Sequence, residues 1–378
     1  MHPTKTAYGT WSGGRFMHFG LCLSEERYIA SIHHAYDKGI RTFMTADVYG
    51  TGDSDEILGR ALAAFPRDSY CLIGAIGHDF YKGERAGSKG FPRFTDPAMH
   101  APEQWSEYVK TSTEKSLERI GVDKFDLLLL HNPDHTGFSD QRVWDAMATT
   151  KSDGLTELVG IAPGPANGFT LDVIDCFEKF GEEYIDWAML ILNPFEPWPG
   201  QLALPAAEKF GVKVITRVVD YGGIFHDDIK PGHPFPERDH RKFRPDGWVE
   251  AGCEKLEKVR PIIEAHGITP LQFSCAWNLS HPAVNSVVPT LIQEPGDVKS
   301  IEDKIDELAQ LPDVTFTEKE LETIAEIGDN KGCMTLKGGN HEHKGDPLPD
   351  RWALDDDLIA AGERWGVSSE KDLANVHA

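Results

Sequence analysis

Ionisable and aromatic side chains recur where short apolar runs of this chain end, and they could carry acid–base chemistry. The run Leu127–Leu130 ends at His131, Tyr49 and Asp47 follow another run, and His78 follows a third. A histidine beside a carboxylate titrates near neutral pH and can move a proton to or from a substrate. We therefore expect His131, Tyr49 and His78 to be catalytic. Six further side chains at such ends are expected to bind the substrate: Asp47, Asn193, Glu196, Trp198, Arg217 and Asp220.

The alternation of these apolar runs with helix-like segments predicts parallel strands joined by helices. A short opening strand is expected near Ala7–Trp11, followed by seven apolar runs at Arg41–Thr45, Tyr70–Ala75, Phe125–Leu130, Leu158–Ile161, Trp187–Leu192, Val212–Val219 and Asn285–Pro289. The expected helices are Ser24–Lys38, Ser54–Ala64, Pro102–Ile120, Ser139–Thr150, Thr170–Phe180, Gln201–Phe210 and Trp248–His266, with Ser24 and Ser54 as N-caps. Eight such units predict an α/β fold of the (β/α)8 TIM-barrel type, in which strand ends meet at one mouth. A doubly wound open sheet is the alternative, but no GxGxxG follows the first strand.

Three segments interrupt the regular alternation. Gly77–Pro102 and Asp220–Pro245 are predicted to be long loops after the third and seventh strands, suited to closing over a substrate. The segment Gly328–Ala378 has little periodicity and carries Pro347, Pro349 and Trp352 as candidate anchors. We expect residues 1–327 to form the barrel and residues 328–378 to be an extension packed on or near it.

Composition excludes several classes of partner. The formal net charge of −23 argues against binding to nucleic acid or to an anionic membrane, and a small-molecule substrate is expected. The six cysteines lack metal-ligand or redox spacing, which is typical of a reduced cytoplasmic protein. A homo-oligomer is compatible with the sequence.

Three motifs resemble the aldo-keto reductase superfamily over about residues 7–327: Gly9-Thr10-Trp11, the run Thr45–Leu62, and Asp126 through His131. The resemblance implies a catalytic Asp, Tyr, Lys and His at the barrel mouth and a nicotinamide that delivers hydride. Tyr49 and His131 match this tetrad. The Asp position is Met44, and the Lys position is Ala75 or, with the alignment shifted by one, Ile76.

The cofactor contacts that the resemblance implies also depart from the family pattern. Ala162-Pro163 stands where a Ser-Asn pair is usual after the fifth strand, and Met189 stands where a Gln is usual in the sixth. The segment Pro289–Gly296, where a phosphate-gripping base is common, carries Glu294 and no base before Lys299. These departures favour no cofactor, with NADP or NAD as the alternative.

The sequence therefore favours an enzyme that performs redox-independent acid–base chemistry, such as elimination, isomerisation or hydrolysis, on a polyhydroxylated carbonyl or sugar-like substrate. Its alternatives are an NAD(P)H-dependent reductase with replaced cofactor contacts and a non-catalytic binding subunit. A divalent metal held by His78, His131, Glu196 and Asp220 is a further hypothesis, although the metal-ligand spacings HxH and HExxH are missing there. The stretch Asn340–His343 is interpreted as an exposed loop rather than a metal clip.

Overall fold

The computed structural model describes residues 1–86, 90–164, 169–331 and 355–373, and its centre is a barrel of parallel strands. The strands pair in chain order from β1 to β8. They are β1 Ala7–Gly9, β2 Thr42–Met44, β3 Cys71–Ile76, β4 Phe125–His131, β5 Thr156–Ala162, β6 Trp187–Ile191, β7 Lys213–Arg217 and β8 Val284–Val288. A parallel bridge between Thr6 and Val287 brings the last strand back to the first. The predicted (β/α)8 fold is confirmed.

The helices lie outside this barrel. They are α1 Glu25–Asp37, α2 Asp53–Leu62, α3 Trp105–Ile120, α4 His135–Ser139, α5 Gln141–Ser152, α6 Thr170–Phe180, α7 Leu204–Lys209, α8 Trp248–Ala265, α9 Pro270–Leu279, α10 Ile301–Ala309, α11 Glu318–Gly328 and α12 Asp356–Arg364. Ser24 caps α1 as predicted, by accepting a hydrogen bond from the Arg27 amide. The prediction for Ser54 was wrong, because Gly52 precedes α2 and the Ser54 hydroxyl is buried against Thr10.

Alternation along the strands divides the apolar side chains into two clusters. One fills the barrel and includes Met44, Ala75 and Met189, while the larger one lies between the strands and the helices. Helix α9 was not predicted because eight of its ten residues are buried, so its sequence shows no polar face to mark it as amphipathic.

The long loop after β7 is fixed to the loop after β8 by a buried ion cluster. Arg241 is fully buried and donates to both oxygens of Asp239, at 2.9 and 2.7 Å, and to both carboxylate oxygens of Glu294. The Nε2 atom of His233 lies 3.0 Å from the Oε2 atom of Glu294. Asp239 also accepts a hydrogen bond from the Gly20 amide, which ties the β1 loop to the same cluster. The segment Pro289–Gly296 carries no base of its own, and the β7 loop supplies the cation that pairs with Glu294.

The described part of the C-terminal segment packs beside α6. Arg364 and Trp365 both donate to the carboxylate of Glu178, and the Trp198 indole donates to the carbonyl of Asp372 at 2.5 Å. The division of the chain at residue 328 stays a prediction. Pro347, Pro349, Trp352 and the stretch Asn340–His343 lie outside the described residues.

Two further observations concern the helices and the cysteines. Within the described ranges, no helix combines the length and apolar character needed to cross a bilayer. Cys22, Cys71, Cys176, Cys253 and Cys275 are free thiols.

Replacing Arg241 with Met should destabilise the fold by about 3–5 kcal/mol, because two buried carboxylates lose their cation. Urea denaturation measures the loss. Arg364→Met is the matched control: its ion pair with Glu178 is on the surface and should contribute about 1 kcal/mol or less. Equal losses in the two variants would contradict the assigned role of the buried cluster.

Candidate active site

Three of the predicted catalytic side chains meet at the mouth of the barrel. The ring of Tyr49 lies edge-on to that of His131, with centroids 5.7 Å apart, and the His78 ring is 5.1 Å from His131. The ring of Trp11, from the loop after β1, lies edge-on to the Tyr49 ring, with centroids 6.5 Å apart. A phenol and two imidazoles therefore lie together at the carboxyl ends of β2, β3 and β4, where barrel enzymes carry their catalytic groups.

The backbone around His131 is shaped by two unusual residues. Asn132 adopts a left-handed conformation with φ of 46°, which asparagine tolerates better than most residues, and its amide donates to Ala162 at 2.7 Å. Gly77 ends β3 so close to β4 that a Cβ there would lie 2.8 Å from the His131 carbonyl oxygen. Only glycine fits this approach, which holds the two strand ends together beside the pocket.

His78 is fixed by the long loop after β3. Its Nδ1 atom lies 3.0 Å from Nη1 of Arg93, and its Nε2 atom lies 3.3 Å from the side-chain amide of Asn132. Arg93 itself donates to the backbone carbonyls of Phe91 and Asn132. The β3 loop thus places a guanidinium next to the imidazole pair.

Arg217 brings a second guanidinium to the mouth from the end of β7. Its Nη2 atom donates to the Pro163 carbonyl at 2.8 Å, which links β7 to the end of β5. Its Nε atom is buried and has no hydrogen-bond partner among the described residues. The next residue, Val218, has φ of 60°, an outlying conformation for a β-branched side chain that commonly marks functional sites.

Asn193 holds this strained segment. Its side-chain amide donates to the Val218 carbonyl at 3.1 Å, and its oxygen accepts from the Phe195 amide at 3.0 Å. The predicted substrate-binding residue Asn193 is therefore engaged in positioning the backbone next to Arg217.

Burial and neighbouring cations keep both histidines neutral. Burial lowers the pKa of His78 to about 3, with Arg93 adding to the effect. Burial lowers the pKa of His131 well below its ordinary value, and His78, Arg217 and Arg93 lower it further. The pKa of Tyr49 is raised by burial, while the charge of Arg217 opposes that rise. At neutral pH the pocket therefore holds a protonated phenol and two uncharged imidazoles.

The positions predicted to correspond to the family's Asp and Lys hold buried apolar side chains. Met44 and Ala75 are both buried in the cluster inside the barrel, whereas Ile76 faces the helices. The side-chain direction favours Ala75 over Ile76 as the Lys position. The assignment of Met44 and Ala75 to the tetrad remains a prediction.

The remaining predicted site residues are buried; Asp220 and Trp198 are held by loop contacts, whereas neither carboxylate oxygen of Asp47 has a hydrogen-bond partner in the described residues. Asp47 is fully buried, and burial together with Asp55 raises its pKa well above the ordinary value. Asp220 accepts a hydrogen bond from the Thr290 amide at 2.7 Å and so holds the loop after β8. Trp198 is bonded to the C-terminal segment, and Glu196 is 1% exposed beside it in the same turn. Arg217 and Asp220 therefore contact different segments, the end of β5 and the loop after β8.

Sequence reasoning missed Arg93 and Asn132 as members of the site. The signal for Arg93 was its place between Pro92 and Phe94 in the long β3 loop, which already indicated an ordered segment. Asn132 follows His131 directly, and an asparagine at the end of a strand is a frequent left-handed residue.

No group of three or more His, Cys, Asp or Glu side chains in the described ranges is arranged to hold a metal ion. His78 and His131 are adjacent, but Asp220 and Glu196 are engaged in loop contacts. The metal hypothesis gains no support.

Comparison with known proteins agrees with this geometry. The model of the Aldo/keto reductase family matches residues 7–329. The chain belongs to the aldo/keto reductase family. It is 28% identical over 277 residues to a D-threo-aldose 1-dehydrogenase of Pseudomonas sp, covering 70% of this chain and 79% of that protein.

Solved aldo/keto reductases share the fold. A glycerol dehydrogenase of Gluconobacter oxydans superposes with a TM-score of 0.66 at 21% identity, over 90% of this chain and 95% of that one. An aldo-keto reductase of Klebsiella pneumoniae in complex with NADPH gives 0.57 at 19% identity, over 86% and 91% of the two chains.

These relatives correct two expectations. Redox-independent elimination, isomerisation or hydrolysis was the wrong principal expectation, because the relatives are named as dehydrogenases and reductases. Favouring no cofactor was also wrong, since neighbouring structures contain NADPH or NADP. Sequence reasoning gave too much weight to the missing contacts.

The imidazoles of His78 and His131 should stay uncharged at pH 5, where an exposed histidine with a pKa near ~6.5 is mostly protonated. Imidazole nitrogen shifts measured by NMR between pH 8 and pH 4 test this. The unfolded chain binds these protons at higher pH than the folded chain does, so stability should fall as pH drops below about 6.5. Titration of both rings near the ordinary value would contradict the assigned electrostatics.

Proposed function

We propose that this protein is an NAD(P)H-dependent oxidoreductase that interconverts a small-molecule carbonyl compound and the corresponding alcohol. The observation that carries the proposal is the contact between the Tyr49 phenol and the uncharged His131 imidazole at the barrel mouth, beside Arg217. In a member of this family, such a pair is suited to protonating a carbonyl oxygen.

The chain compensates for one of its departures from the family's cofactor contacts. Ala162, Pro163 and Met189 present no side-chain donor to a nicotinamide carboxamide. At the phosphate side, Arg241 and His233 neutralise Glu294. The loop after β8 would therefore accept the phosphates of a nicotinamide nucleotide without repulsion from an unpaired Glu294. When bound, the nicotinamide supplies or accepts the hydride.

Tyr49 is the proposed proton donor in the reducing direction. It stays protonated at neutral pH because burial raises its pKa. Arg217 takes the electrostatic role of the absent family lysine, because its positive charge favours the phenolate that forms when the proton leaves.

His131 is the proposed orienting group. An imidazole that remains neutral can donate one N–H to a carbonyl oxygen without competing for the tyrosine proton. His78 supports it through ring contact and is in turn held by Arg93 and Asn132.

Tyr49→Phe should reduce kcat for aldehyde reduction by about 10²–10⁴-fold, because proton transfer to the carbonyl oxygen is lost. NADPH oxidation at 340 nm measures kcat, and cofactor fluorescence measures the dissociation constant, which should change little. Tyr184→Phe is the matched control, since that exposed hydroxyl only contacts Asp145 and Gln141.

Unchanged turnover in Tyr49→Phe would exclude Tyr49 as the proton donor. Failure of the unaltered protein to bind NADPH or NADH would overturn the proposed function as a whole.

Arg217→Met should shift the alkaline limb of the kcat profile for reduction to higher pH, because removal of the cation raises the tyrosine pKa further. In the oxidising direction, where the phenolate is the base, activity should appear only at higher pH than in the unaltered protein. Profiles between pH 6 and pH 11 test both directions. Superimposable profiles would contradict an electrostatic link between Arg217 and Tyr49.

A further inference from the structure

The barrel mouth carries positive charge in a strongly acidic protein. The chain has 61 acidic and 38 basic residues. Yet the charged groups that act on His131 are the guanidiniums of Arg217 and Arg93, and no carboxylate offsets them at that imidazole. A positive pocket in a negative protein selects for a ligand of opposite charge.

Arg217 is the clearest sign of such a ligand. Its only hydrogen bond in the described residues goes to the neutral carbonyl of Pro163, and its buried Nε–H points at no acceptor. Among these residues it forms no ion pair, and the phenol of Tyr49 is the side chain whose charge would raise its pKa. Since Tyr49 is protonated at neutral pH, it supplies no negative charge there. Arg217 as a whole is partly exposed, but its Nε–H is buried without a partner, which is unfavourable, and burial lowers the pKa of the guanidinium.

Arg93 adds to the same potential from the opposite side of the mouth. Its described hydrogen bonds go to the carbonyls of Phe91 and Asn132 and to the His78 ring. Asp134 attracts it from a distance, but both oxygens of that carboxylate accept from the Thr95 hydroxyl, and one also accepts from the Gly137 amide.

Two other arginines of the described chain form ion pairs inside the protein. Arg241 contacts Asp239 and Glu294, and Arg119 contacts Asp55 at 2.9 Å. Arg217 differs from these two because it forms no ion pair in the described residues. It lies at the strand ends next to Tyr49 and His131, where a substrate would bind.

We propose that the substrate is a small carbonyl compound that also carries a carboxylate, held by the Nε–H edge of Arg217 with Arg93 adding positive potential. This substrate class rests on the proposed oxidoreductase function. A single carboxylate matches one unpaired guanidinium. A group with several negative charges suits the pocket less, because the rest of the protein is acidic.

The first test compares matched aldehydes with the full-length protein. Succinic semialdehyde should be reduced with a kcat/KM at least about tenfold above that of butanal, since a charge-assisted hydrogen bond to a carboxylate is gained. Glyoxylate against glycolaldehyde, and glucuronate against glucose, repeat the comparison at other spacings. Arg217→Met should abolish the preference, while Arg60→Met, which removes an exposed ion pair with Glu25, should retain it.

The second test measures binding without turnover. Gluconate should raise the melting temperature more than sorbitol does in the unaltered protein, and Arg217→Met should remove the difference. If gluconate raises the melting temperature in this way but the protein reduces no aldehyde, the anion site would be supported and the oxidoreductase function would be rejected. Reduction of neutral and carboxylate aldehydes at equal efficiency would overturn the substrate class while the function stands.

Two further outcomes would overturn the inference. Inorganic phosphate or chloride could raise the melting temperature as much as gluconate does at equal ionic strength. Alternatively, Arg217→Met could weaken NADPH binding without changing the preference among aldehydes, which would assign the guanidinium to the cofactor alone.

Discussion

The chemistry proposed at the barrel mouth depends on the positive charge of the Arg217 guanidinium. It joins the end of β7 to the end of β5 through the Pro163 carbonyl and counters the effect of burial on Tyr49. The next residue, Val218, has a strained conformation, and Asn193, in the loop after β6, donates a hydrogen bond to its carbonyl. Strain of this kind persists only where surrounding contacts enforce it. Asn193 provides one such contact next to Arg217.

This arrangement explains how the scaffold tolerates Met44 and Ala75. Removing one member of a buried ion pair leaves the other unpaired, whereas apolar residues at both positions pack into the barrel interior without that cost. Arg217, at the end of β7, places a positive charge near the Tyr49 phenol. At the loop after β8, Arg241 from the β7 loop balances Glu294.

The sequence predicted the barrel because its strands are short apolar runs separated by amphipathic segments, and α6 was located to the residue at Thr170–Phe180. Tyr49, His131 and His78 were predicted as site residues because they follow apolar runs, and the structure brings their rings together. The hydrogen-bond partners of individual side chains could not be predicted. Nothing in the sequence indicates that Asn193 bonds Val218, that Asp220 holds Thr290, or that Arg93 reaches His78 across a long loop. The inference that the missing motif residues meant a loss of redox chemistry was wrong because such partners could not be foreseen.

The most direct test of the proposed function is isotopic labelling of the hydride that NADPH transfers. The purified protein is incubated with an aldehyde and with NADPH that carries deuterium on the transferable face of C4, and the alcohol is analysed by mass spectrometry. The account predicts one deuterium on the former carbonyl carbon, with both C4-deuterated epimers tested so that either face is detected. An alcohol without deuterium from either epimer, or no alcohol at all across a broad aldehyde panel, would contradict it.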